Sequence, residues 1–218
     1  MIRHYKENSP LNVAVLTIKQ WYKLLLDDMV LMTPATDISP QSLIPVRVEV
    51  LHPLTDWAET WRRARVKGLG SVLTSFLFKL LHYLLPTQDR VSRIGVAENL
   101  GICQICNVEP EDQLHAFFFC QQSRVAGHAL LGHLQHAVPD LTPEAALRLE
   151  LGDELNVDEE LATVYTLAAG LKYIWETRIE KKQLSLHRMR AELEAWISIL
   201  RRTRHRNSAL YMTEMLQL

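Results

Sequence analysis

The sequence predicts a mostly α fold: an irregular helical domain organised around a short cysteine–histidine segment, with an antiparallel helical hairpin at its C-terminal end. Three observations predict it. Apolar residues recur at spacings of three and four along much of the chain, the pattern of amphipathic helices. Glycine and proline number only 8 and 9 in 218 residues, too few for a turn-rich sandwich. All three cysteines fall between positions 103 and 120, so a single short segment carries the thiol chemistry of the whole chain.

In chain order, Ile18, Trp21, Tyr22, Leu25 and Met29 line one face of a helix over 12–30. A proline-, serine- and threonine-bearing linker follows over 33–45, and alternation at 46–50 suggests a short strand. A second helix is expected over 54–67 with Thr55 or Asp56 as its cap, broken by Gly68-Leu69-Gly70-Ser71. The next carries Leu73, Phe76, Leu77, Leu80 and Leu84 on one side and stops at Pro86, after which Thr87 caps a helix through Ile94. Residues 121–138 form a helix stopped by Pro139, and Thr142-Pro143-Glu144 starts another. Leu161, Val164, Ala168, Leu171 and Trp175 mark a helix over 158–178. Leu186, Met189, Leu193, Trp196 or Ile197, and Leu200 mark a helix over 182–206. The joint between these two is short and polar, which suits an antiparallel pair. The expected divisions are an N-terminal helix and linker (1–50), a helical region holding the cysteine segment (51–138) and a C-terminal helical region (139–218).

The segment itself reads Cys103-Gln-Ile-Cys106, eight residues, then His115-Ala-Phe-Phe-Phe-Cys120. Three thiolates and one imidazole at such spacings are the donor set of a structural zinc ion, a CCHC zinc knuckle. Four protein ligands close the tetrahedron and leave no position for a reacting water. No apolar run reaches the roughly 20 residues of a membrane span, and the N-terminus lacks the apolar stretch of a secretory signal. An intracellular protein of the nucleus or cytoplasm is therefore expected, and in that reducing setting clustered cysteines point to metal rather than disulfides. His128, on the following helix, competes with His115 for the fourth position. Phe117–Phe119 have two readings: aromatics filling a small core beside the metal, or a platform for nucleic-acid bases.

The formal net charge of −1 conceals an uneven distribution. Arg62, Arg63, Arg65 and Lys67 form one basic cluster, Arg201, Arg202, Arg204 and Arg206 a second, and residues 140–160 are rich in Asp and Glu. Basic clusters can neutralise backbone phosphates without reading base sequence. They also serve as solvated helix faces, with cations favoured at the C-terminal end of a helix dipole.

Several stretches together resemble the reverse transcriptase zinc-binding domain at the C-terminal end of non-LTR (LINE-type) retrotransposon polyproteins. They are Lys19-Gln20-Trp21-Tyr22-Lys23-Leu24-Leu25-Leu26, Arg65-Val66-Lys67-Gly68-Leu69-Gly70, Ser75 through Thr87, the Cys103/Cys106/His115/Cys120 motif and Leu171-Lys172-Tyr173-Ile174-Trp175-Glu176. The resemblance covers most of the chain and is most specific over 73–120. It implies metal-ligand roles for the four motif residues and a part in handling template RNA and target DNA during target-primed reverse transcription. It does not imply catalysis here. Asp27-Asp28 follows Leu25-Leu26 on an amphipathic helix, unlike the polymerase Asp pair at a β-turn preceded by an aromatic, and no endonuclease motif is present. The expectation is a non-catalytic, zinc-binding, nucleic-acid-binding module. The alternative is a protein-interaction adaptor whose zinc is purely structural and whose partner docks on the apolar faces of 161–175 and 186–200.

Overall fold

A computed structural model describes residues 52–93 and 101–217. The expected helix over 12–30, the linker, the strand at 46–50, and so the whole 1–50 division, lie outside these residues. Every regular element among the described residues is helical: α1 Trp57–Ala64, α2 Ser71–Leu81, α3 Gln88–Arg93, a π-helical turn at His115–Phe119, α4 Arg124–Leu134, α5 Pro143–Leu147, α6 Val157–Ile179, α7 Leu186–Arg201 and α8 Arg206–Gln217. One isolated bridge joins Ile102 to Pro110. No described helix is long and apolar enough to cross a membrane.

The core is organised on α6. Asn156 caps it with a reciprocal box: its side chain accepts from the Asp158 and Glu159 N–H groups while Glu159 reaches back to the Asn156 N–H, which satisfies donors a helix start leaves open. Periodicity assigns α6 one apolar face, but Ala162, Thr163, Thr166, Leu167, Ala169 and Gly170 are buried as well. The helix is therefore enclosed on all sides, as a core helix is. Its small residues permit this. A Cβ placed on Gly170 would lie 2.6 Å from the Leu130 methyls, so Leu130 of α4 occupies the space a side chain would need. Helices α1, α2, α4, α7 and α8 and the π turn all pack on α6.

Several helix ends differ from the sequence expectation, including those of α4, which spans Arg124–Leu134 and not 121–138. Helix α1 is confined to 57–64, with the Asp56 side chain accepting from the Glu59 N–H. Helix α2 stops at Leu81, not at Pro86, because Tyr83 takes a left-handed conformation (φ 54°) and the Leu84 N–H turns back to the Lys79 carbonyl at 2.7 Å. The expected helix over 182–206 is shorter, Leu186–Arg201, and a separate helix starts at Arg206. Thr203 makes the break: its hydroxyl donates to the Leu200 carbonyl at 2.7 Å and accepts from the His205 N–H at 3.2 Å. Helix α8 then buries Ser208, Ala209, Met212, Met215 and Leu216 and packs on both α6 and α7. Between α6 and α7, the Tyr173 hydroxyl donates to the Ser185 carbonyl and the Tyr165 ring meets Trp196 edge-on at 5.6 Å.

Helix α4 lies against the π turn at Gly127, where a Cβ would come within 2.2 Å of the Phe117 carbonyl oxygen. That atom is backbone and cannot swing aside. Gly127→Ala is expected to lower stability by about 3 kcal/mol, the upper range for overpacking a core. Urea unfolding of the two proteins measures it, and an unchanged midpoint would show that α4 is free to shift.

Candidate metal centre and basic surface

The π turn places two of the predicted ligands. The Asp112 carboxylate accepts from the His115 N–H at 2.7 Å, and the Cys120 N–H closes the turn on the His115 carbonyl at 2.7 Å, five residues back. Phe117 and Phe118 point inward and are fully buried, Phe117 meeting the Trp175 ring at 5.9 Å. Phe119 is 49% exposed. The core reading of the phenylalanine run thus holds for two of the three. The other pair comes from a tight turn. The Asn107 N–H returns to the Cys103 carbonyl at 2.9 Å, and the Cys103 N–H donates to the Glu109 carbonyl at 2.8 Å.

The ligand atoms of Cys103, Cys106, His115 and Cys120 all lie within 4.8 Å of one another. Cys103, His115 and Cys120 are buried, Cys106 partly so. A tetrahedral zinc ion with its usual bond lengths spans about 3.8 Å from sulfur to sulfur and about 3.6 Å from sulfur to nitrogen. Cys103 Sγ and Cys120 Sγ are 3.8 Å apart, and Cys106 Sγ and His115 Nε2 are 3.4 Å apart. The residues fit a small tetrahedral cation. The imidazole is also set correctly: its Nδ1 lies 3.0 Å from the Glu109 carboxylate. An ionised carboxylate only accepts, so Nδ1 carries the proton and Nε2 presents its lone pair to the sulfurs, an orientation common at metal sites. His128 stands elsewhere, edge-on to Phe118 at 6.4 Å, so His115 completes the group.

The two thiols differ in the absence of a cation. Burial pushes the Cys103 thiol well above its ordinary value, against donors that include the Arg178 guanidinium. For Cys106, burial also raises it, but the Glu109 and Val108 N–H groups, Cys103 and His115 together outweigh burial and hold the thiol below its usual range.

No family model matches the chain, and no curated protein or solved structure matches it.

The two basic runs are placed unevenly. Arg63 is 4% exposed; its guanidinium lies 3.4 Å from the Glu160 carboxylate, donates to the Leu149 carbonyl at 3.0 Å and also donates to the Gly152 carbonyl. Arg62 is held by Glu59 and Glu160. Part of the acidic 140–160 segment therefore neutralises part of the basic cluster within the protein. Arg65 and Lys67 are exposed, as are Arg201, Arg202, Arg204 and Arg206. Arg201 donates to the Thr213 hydroxyl. A Cβ on Gly68 would lie 2.6 Å from His205 Nε2, so the loop after α1 touches the turn between α7 and α8. That contact joins two basic segments, one carrying Arg65 and Lys67 and the other Arg202, Arg204 and Arg206, at Gly68 and His205, which sequence spacing alone could not show.

Proposed function

We propose that the chain is a non-catalytic module in which one zinc ion, held by Cys103, Cys106, His115 and Cys120, supports a helical domain that binds nucleic acid through its backbone phosphates. The observation that carries the reading is the convergence of four ligand atoms within 4.8 Å, with two of their separations, 3.8 and 3.4 Å, close to the edges of a zinc tetrahedron. Four protein donors fill the coordination sphere, which supports a structural ion and a CCHC knuckle. Three thiolates and an imidazole favour zinc among the common divalent cations.

The nucleic-acid part rests on the surface joined at Gly68 and His205 and on the resemblance to the reverse transcriptase zinc-binding domain, which supplies the ligand class. Arg65, Lys67, Arg202, Arg204 and Arg206 are exposed and make no ion pair among the described residues. If all five neutralise phosphates of a single strand, affinity should fall about a hundredfold between about 50 and about 200 mM salt. Fluorescence anisotropy with a labelled single-stranded RNA measures this. Arg65→Ala and Arg204→Ala should each weaken binding and flatten the salt slope, whereas binding indifferent to salt would defeat the reading. Met189, Leu193, Ile197 and Leu200 of α7 are buried, as are Leu161, Val164, Ala168, Leu171 and Trp175 of α6. The burial of much of these two faces weakens the adaptor alternative, although Leu186 is exposed.

A further inference from the structure

Arg178, near the C-terminal end of α6, lies beside the thiol cluster with its side chain only 3% exposed. Its Nη2 donates to the Glu111 carboxylate at 2.8 Å and to Cys103 Sγ at 3.5 Å. Glu111 is itself 6% exposed. Nη1 is buried and makes no hydrogen bond among the described residues. A guanidinium is always charged, and moving one out of water costs several kcal/mol unless anions surround it. Glu111 supplies one negative charge. Against neutral thiols there would be no other, yet the guanidinium is directed at sulfur as well.

The metal-loaded site changes the balance. Three thiolates, a neutral imidazole and a dication carry a net charge of −1, so the carboxylate on one side of Arg178 and the sulfur cage on the other are both anionic. Without the arginine, the two buried anions would lose the cation that touches both.

We infer that Arg178 is a positioning residue of the metal centre: its guanidinium, in contact with both Glu111 and Cys103 Sγ, compensates the charge of the loaded site, damps the nucleophilicity of its sulfur and fastens the cage to α6. The inference rests on the metal reading above and deepens it. Hydrogen bonds to ligand atoms tune metal affinity, and removing such a partner commonly costs about tenfold to a hundredfold.

The test uses the full chain loaded with zinc or with cobalt(II), whose thiolate-to-metal charge-transfer absorption reports sulfur electron density. Three variants separate the roles: Arg178→Met; Arg178→Lys, which keeps the charge but loses the fork; and Arg178→Met with Glu111→Gln, which removes the stranded carboxylate and preserves the fold if the single variant does not. The double variant should keep its far-ultraviolet circular dichroism and bind cobalt about tenfold to a hundredfold more weakly in competition with a chromophoric chelator. Its charge-transfer band should move to lower energy, and iodoacetamide should modify its zinc-loaded thiolates about tenfold faster. Arg178→Lys should recover part of the affinity and none of the band position. A double variant with wild-type affinity, band energy and alkylation rate overturns the proposal and leaves Arg178 a buried ion-pair partner. Failure of the wild type to bind either metal is a different result, because it removes the metal reading itself.

Discussion

Treating the purified protein with a strong chelator should lower its melting temperature by about 10 °C, and the protein before treatment should contain one zinc per chain. An ion present at about a thousand times its dissociation constant stabilises the fold that binds it by about 4 kcal/mol. In a chain of this size each kcal/mol moves the melting temperature by roughly 2–4 °C. Far-ultraviolet circular dichroism should change less than the melting temperature. Helices α4, α6, α7 and α8 pack on one another and carry none of the four Cys and His donors, which the turn at 103–107 and the π turn bring together. Cys106→Ser should reproduce the chelated behaviour without added chelator, because folding and metal binding are linked. Metal analysis by mass spectrometry and thermal scans with and without chelator measure both. A substoichiometric metal content, or a melting temperature the chelator leaves alone, would remove the ion from the fold.

Arg63→Ala should be the most damaging substitution in the basic cluster, at about 3 kcal/mol, and Arg65→Ala nearly neutral for stability, within about 0.5 kcal/mol. Removing Arg63 leaves the Leu149 carbonyl without its donor and Glu160, 7% exposed, with Arg62 as its remaining ion-pair partner. Arg62 is half exposed and compensates only in part, which keeps the estimate at the lower end for a broken buried pair. The same two variants should reverse their order in the RNA titration. Arg65→Ala should weaken binding without unfolding the protein, and Arg63→Ala should leave the salt slope intact wherever the protein remains folded. Urea unfolding gives the stabilities. Equal losses from the two substitutions would mean that Arg63 and Arg65 share one environment.

These two arginines show where the chain was legible and where it was not. The Cys103, Cys106, His115 and Cys120 group could be found because its members lie within eighteen residues and their side chains come close enough to hold a metal ion. The helices that bury Leu73, Phe76, Leu77 and Leu80, or Met189, Leu193, Ile197 and Leu200, could be found because period is a local property. Arg62, Arg63 and Arg65 look alike in sequence. Arg63 meets Glu59, four positions before it, at 3.0 Å, but its buried partner Glu160 is 97 positions away, and charge composition does not encode a distant partner. The Arg178–Glu111 pair went unread for the same reason, its members being 67 positions apart. Helix α8 was missed for a different one. Its boundary is made by a threonine hydroxyl rather than by glycine or proline, although Ala209, Met212 and Leu216 repeat at helical spacing.

The five-residue closure between His115 and Cys120 gives the interval in the motif a stereochemical meaning. In an ordinary α-helix, successive residues rotate by about 100°, so positions five apart diverge by about 140° around the axis. The wider coil brings imidazole and thiol back to the same side. Two chains could therefore share all four donor residues and still differ in whether they grip a cation, according to whether the stretch between the last two relaxes into regular helix. The approach of the four donors resides in the local pitch of the backbone as much as in the identities of the side chains.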